Sequence, residues 1–108
     1  MKKKKIYIAG KVTGEPLHLC TMKFGAAQIA IEKLGHIAVN PLEVVNDPKC
    51  PWNIAMRRCI KALMDCDMIF LLEDSKDSPG AKLEYELAQK LNMEIIYESS
   101  GFKPNKVY

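Results

Sequence analysis

Asp67-Met68-Ile69-Phe70-Leu71-Leu72 is apolar at every position after the aspartate. An unbroken apolar run of this length reads as a strand covered on both faces, the situation of a central strand in a parallel sheet. Three weaker strands are placed around it in the chain. Ile6-Tyr7-Ile8-Ala9 is β-prone and ends at Gly10. His36-Ile37-Ala38-Val39 ends at Asn40-Pro41. Glu94-Ile95-Ile96-Tyr97 comes last. Helical patterns separate the strands. Leu17, Cys20, Phe24, Ala27, Ile31 and Leu34 recur at steps of three and four, and Gly35 reads as the stop. Pro51 opens a second helix, with Trp52, Ala55, Met56, Cys59, Leu63 and Cys66 as its apolar stripe. Pro79 opens a third that runs to about Leu91.

Strand and helix therefore alternate through the chain. This predicts a parallel sheet in the order 2-1-3-4, joined by right-handed crossovers, with helices on both faces. A small open sheet of this kind binds ligands beyond the carboxyl ends of its strands, where the strand order reverses. The loops of interest are then residues 10–16, 40–50 and 73–78. Residues 1–108 read as one domain with a basic tail at 1–5 and a polar tail at 98–108, whose end is a candidate short fifth strand.

Composition agrees with a single ordered domain. The chain has 108 residues, 48% hydrophobic and 27% charged, which suits a globule with one core and excludes collagen-like, coiled-coil and disordered classes. No apolar run approaches the roughly 18 residues of a membrane span. The stretch after the N-terminal lysines is too short for a signal peptide, so a soluble cytoplasmic protein with no membrane partner is expected. The net charge of +3 comes from Lys2, Lys3, Lys4 and Lys5. Removing these from 16 basic residues leaves 12 against 13 acidic ones. The excess sits in one tail rather than over a face, so no nucleic-acid partner is expected. Cys20, Cys50, Cys59 and Cys66 show no C-x-x-C pairing, and His18 and His36 stand apart. Free thiols, no metal and no cofactor are the expectation.

The third helix carries the sharpest chemical signal. Gly80, Leu83, Leu87, Ala88 and Leu91 form its predicted apolar face, and Glu84 lies within that stripe. A carboxylate on a buried helix face is costly unless paired, and its pKa is raised. Near the helix start it also looks toward the ligand crevice. A catalytic carboxylate and a structural ion pair fit this pattern equally well. Ser78-Pro79-Gly80-Ala81 supplies an N-cap hydroxyl, a proline and a residue without a side chain, with no capping box to occupy the amides. Such a start suits an anion, though a plain Ser-Pro helix start is the commoner explanation. Tyr7, in a buried strand, needs a hydroxyl partner: either Glu84 or a group in the core. The segment Gly10-x-x-x-Gly14 lacks the spacing of a dinucleotide fingerprint or a P-loop.

The ordered set Ile6-Tyr7-Ile8-Ala9-Gly10, Asn40-Pro41, Cys66-Asp67-Met68-Ile69 and Ser78-x-Gly80-Ala81-x-x-Glu84 resembles the nucleoside 2-deoxyribosyltransferase superfamily, which includes the deoxynucleoside 5′-monophosphate N-hydrolases. The likeness is to an uncharacterised bacterial and phage branch and covers about residues 5–98. It implies a flavodoxin-like, Rossmann-like three-layer sandwich that cleaves a nucleoside or nucleotide N-glycosidic bond. It implies Glu84 as the nucleophile at C1′, with Tyr7 orienting it. Ala9, Gly10, Asn40, Ser78, Gly80 and Ala81 become ligand contacts, and Ser78 with the amides near Gly80 holds a 5′-phosphate or 5′-hydroxyl. It also implies a homo-oligomer, a dimer or higher.

Two positions depart from the superfamily pattern. Cys59 stands where an aspartate is common, and Glu86 where the transferases usually have glycine. Asp74, just past the third strand, is the candidate to replace the missing carboxylate. The competing expectations are a nucleotide-binding protein without turnover and a partner-binding module that uses Trp52 and the tail.

Overall fold

The computed structural model describes residues 2–98. Four parallel strands, β1 (Lys5–Ala9), β2 (Ile37–Val39), β3 (Met68–Leu71) and β4 (Glu94–Tyr97), form one sheet in the order β2-β1-β3-β4. This is the predicted order. The chain runs from β1 through helix α1 (Leu17–Lys33) to β2 at one edge. It then crosses through α2 (Pro41–Val45) and α3 (Trp52–Met64) to β3 on the other side of β1. A 3-10 turn (Glu73–Asp77) and α4 (Pro79–Lys90) lead to β4. The order thus reverses between β1 and β3, and the crevice opens beyond Ala9 and Leu71.

The alternation of side chains along β1 and β3 sorts the core into two layers. Ile6, Ile8, Met68 and Phe70 face α1, where they meet Cys20, Phe24, Ala27 and Ile31. Tyr7, Ala9, Ile69 and Leu71 face the opposite way, onto Cys59 and Leu63 of α3 and Ala81 and Ala88 of α4. Both central strands are buried on both faces, which is why Met68–Leu71 reads as a continuous apolar run. The edge strands β2 and β4 are partly exposed and correspondingly less apolar. The expected fifth strand lies outside the described residues. Among the described residues, no helix is long and apolar enough to cross a membrane.

Three local expectations are corrected. Residues 40–50 are not simply a loop: they hold α2, whose N-cap is Asn40, with its Oδ1 accepting from Leu42 N at 3.0 Å. Asn-Pro at a helix start supplies both a cap and a favoured first residue, a signal hidden by the shortness of the helix. The buried face of α4 is Gly80, Ala81, Glu84 and Ala88, whereas Leu83 and Leu91 are exposed. Small residues let α4 approach the sheet closely, so the leucines fall at its flanks. Trp52, at the end of the predicted α3 stripe, is half exposed and serves the crevice instead of the core.

Gly10 marks where β1 enters the crevice. A Cβ there meets Leu72 Cδ1 at 2.6 Å and Phe24 Cζ at 3.1 Å. Gly25, inside α1, has nothing within 4 Å of a Cβ. Gly10→Ala is therefore expected to lower stability by about 1–3 kcal/mol through overpacking. Gly25→Ala should raise it by about 0.5–1 kcal/mol through helix propensity. Urea denaturation of the two variants should give midpoints on opposite sides of the wild type; shifts of the same sign contradict the packing described.

Candidate functional site

A cavity of about 930 Å³ lies beyond the carboxyl ends of β1 and β3, between α1, α2, α3 and the start of α4. That volume lies within the range of small-ligand sites. Its position follows from the topology, since the reversal of strand order leaves the loops after β1 and β3 free to diverge.

Glu84 lines this cavity although its residue is only 5% exposed. The placement has a simple origin. Glu84 lies four residues after Gly80, on the face of α4 that meets the sheet, directly above Tyr7 of β1. The Tyr7 hydroxyl donates to Glu84 Oε2 at 2.7 Å. Tyr7 is itself fully buried, so its hydroxyl finds its partner in this carboxylate and not elsewhere in the core, and among the described residues no lysine or arginine forms a salt bridge with Glu84. Burial pushes the Glu84 carboxyl up to about 7, against the opposing pull of the Tyr7 hydrogen bond. Burial and the neighbouring Glu84 charge push the Tyr7 phenol well above its ordinary value, so it remains a neutral donor.

Cys59 of α3 completes the cluster. It is 7% exposed, lines the cavity and adjoins the Tyr7 hydroxyl. Burial raises its thiol, and the Glu84 charge adds to the effect, whereas Tyr7 pulls it down. The thiol therefore stays protonated near neutrality. The titratable groups around Glu84 are thus a phenol and a thiol, both poor acids.

Ser78 is buried at the mouth of α4, and its Oγ accepts from Ala81 N at 3.1 Å. The expected free amides are reduced by this cap. Pro79 has no N–H, Ala81 N–H is taken by Ser78 Oγ, and Lys82 N–H bonds Ser78 O at 2.9 Å. Gly80 is packed so closely that a Cβ there meets Met56 Sδ at 2.9 Å and lies 3.8 Å from Trp52 Nε1. Trp52 and Met56 thereby flank the helix start and form one wall of the cavity.

Of the residues singled out in the sequence, Tyr7, Gly10, Asn40, Ser78, Gly80, Ala81 and Glu84 all line the cavity. Asn40 also spends its amide on structure: Oδ1 caps α2, and Nδ2 donates to Gln28 Oε1 at 3.1 Å. Ala9 and Asp74 are not lining residues. The Ala9 carbonyl accepts from Leu72 N at 2.8 Å and Ser75 Oγ at 2.9 Å. Asp74 accepts from Lys11 N at 3.0 Å and pairs with the Lys23 ammonium, which ties the loop after β1 to the 3-10 turn. These bonds make it a structural clasp between the loop and the turn. The wall built by Pro41, Val45, Trp52 and Met56 was missed as a site feature. The Asn40-Pro41 cap was the one signal for it, because it fixes where α2 turns the chain across the crevice.

Among the described residues, no group of three or more His, Cys, Asp or Glu side chains is arranged to hold a metal ion, and the four cysteines are free thiols. No curated protein matches the chain. Residues 4–97, covering the whole sheet and every cavity wall, match the family model for a domain of unknown function, DUF4406, and the chain belongs to that family.

Proposed function

We propose that this protein cleaves the N-glycosidic bond of a nucleoside or nucleotide, with Glu84 as the nucleophile. The observation carrying this reading is the Glu84 carboxylate: buried, held by the Tyr7 hydroxyl and facing a cavity of about 930 Å³, roomy enough for a nucleoside or nucleotide, at the reversal of strand order. The resemblance to the nucleoside 2-deoxyribosyltransferase superfamily through Tyr7, Ser78, Gly80 and Glu84 supports the same assignment.

In the proposed reaction a Glu84 oxygen forms a bond to the sugar C1′ as the C1′–N bond breaks. The electron pair of that bond leaves with the base, which takes up a proton from water. Water or a second base then attacks C1′ and releases the carboxylate, as in a retaining glycosidase. Tyr7 steadies the carboxylate through its hydroxyl, and Trp52 and Met56 offer an apolar wall for the base. Desolvation makes the ionised form of Glu84 a better nucleophile while keeping part of the population protonated near neutral pH.

A second reading is a nucleotide-binding protein without turnover. Cys59 favours it, because the position that would bring a second carboxyl to Glu84 holds a weakly acidic thiol. Incubating the protein with a panel of deoxynucleosides and their 5′-monophosphates, and reading free base by chromatography, separates the two. Base release that scales with protein concentration is expected. Binding of panel members with no release from any of them overturns the enzymatic reading in favour of the second.

A further inference from the structure

Four carboxylates line the cavity, Glu15, Glu43, Asp47 and Glu84, and among the described residues no lysine or arginine does. Glu84 lies at the floor. Glu43, on α2, and Asp47, just after it, are exposed at the rim. Lys23 approaches Glu15 to 3.9 Å, but it is not a lining residue, and its ammonium is engaged by Asp74 and by the Lys11 carbonyl. The start of α4 offsets this charge only in part: Pro79 has no amide and those of Ala81 and Lys82 are already bonded to Ser78, which leaves that of Gly80.

A phosphomonoester dianion entering here gives up its hydration and meets like charge in return. An uncharged 5′-hydroxyl needs only a single hydrogen-bond partner. Ser78 suits it, since its oxygen accepts from Ala81 N and its proton remains to be donated. We infer that the site takes the uncharged nucleoside and turns away its 5′-monophosphate, with Glu43 and Asp47 as the specificity-determining residues at the rim. The inference rests on the N-glycosidic reading proposed above and narrows its substrate class. The rim carboxylates are solvated, so each contributes modestly and is screened by salt.

Calorimetric titration of the full chain with deoxynucleosides and the matching 5′-monophosphates tests this without requiring turnover. At low ionic strength the nucleoside is expected to bind about tenfold more tightly. The gap should narrow at high salt, and it should narrow in the Glu43→Gln/Asp47→Asn double variant through tighter binding of the monophosphate. Equal or tighter binding of the monophosphate by the wild type overturns the charge filter and leaves the N-glycosidic reading standing. A preference indifferent to both salt and the double variant overturns the assignment to Glu43 and Asp47. Binding of neither ligand class removes both the filter and the reading on which it rests.

Discussion

Glu84→Gln is expected to cut base release by on the order of a thousandfold or more, and to make the protein more stable above neutral pH. The first effect follows from chemistry: an amide oxygen does not form the C1′ ester, although it keeps the shape of the side chain and accepts from Tyr7 as the carboxylate does. Ligand affinity should change little for the same reason. The second effect follows from proton linkage. The Glu84 carboxyl is raised from an ordinary 4.5 to about 7 by burial, so the folded state holds a proton that the unfolded chain releases between those values. Wild-type stability is therefore greatest, as far as this group is concerned, below pH 4.5. It falls as pH rises through about 7, by a total of about 3 kcal/mol. The glutamine variant lacks this slope. Its advantage over wild type should be largest near pH 8 and vanish below pH 4.5, as read by denaturant midpoints across that range. Wild-type turnover should rise through the same window as the nucleophile ionises. Base release that survives Glu84→Gln undiminished sinks the mechanism, and parallel stability profiles for the two proteins contradict the buried charge.

What could be read before the structure was known follows a physical divide. Periodicity and apolar content report which face of an element is covered, and so β1, β3 and the 2-1-3-4 order were legible from Ile6–Ala9 and Met68–Leu71. Glu84 was legible for the same reason, as a charge at a position the helix must bury. Periodicity says nothing of how closely two elements approach. Gly80, Ala81 and Ala88 bring α4 against the sheet, and this turned Leu83 and Leu91 outward where the pattern had them inward. Hydrogen-bond partners across the chain were equally out of reach. Asp74 is close to the crevice in sequence, yet Lys23, 51 residues away, and the Lys11 amide draw it aside. Ser78 illustrates the intermediate case. Its capping role was legible, but not that the cap would consume an amide offered to an anion.

Cys59→Asp is expected to destabilise the fold by about 2–4 kcal/mol and to raise base release by about a hundredfold. Cys59 is buried beside Tyr7 and Glu84, so the substitution places two carboxyls in one desolvated cluster. Two such groups do not both ionise readily, and they share a proton near neutral pH. One member then serves as the nucleophile while the other holds a proton for the departing base, a donor that neither the phenol of Tyr7 nor the thiol of Cys59 replaces. The stability cost and the gain in turnover have the same source, the repulsion that keeps one carboxyl protonated. They should nevertheless part with rising pH: the gain in turnover is greatest where a single proton is shared and is lost once both carboxyls ionise, whereas the stability cost keeps growing as the second carboxyl is forced to ionise. Comparing denaturant midpoints and base release for wild type and Cys59→Asp across neutral pH reads the two together. Faster release at lower stability identifies the missing acid as the limit on the wild-type site. A destabilised variant with no gain in release shows that a proton donor at this position does not limit turnover. Absence of release from either protein, with nucleoside bound by both, assigns the cavity to binding alone.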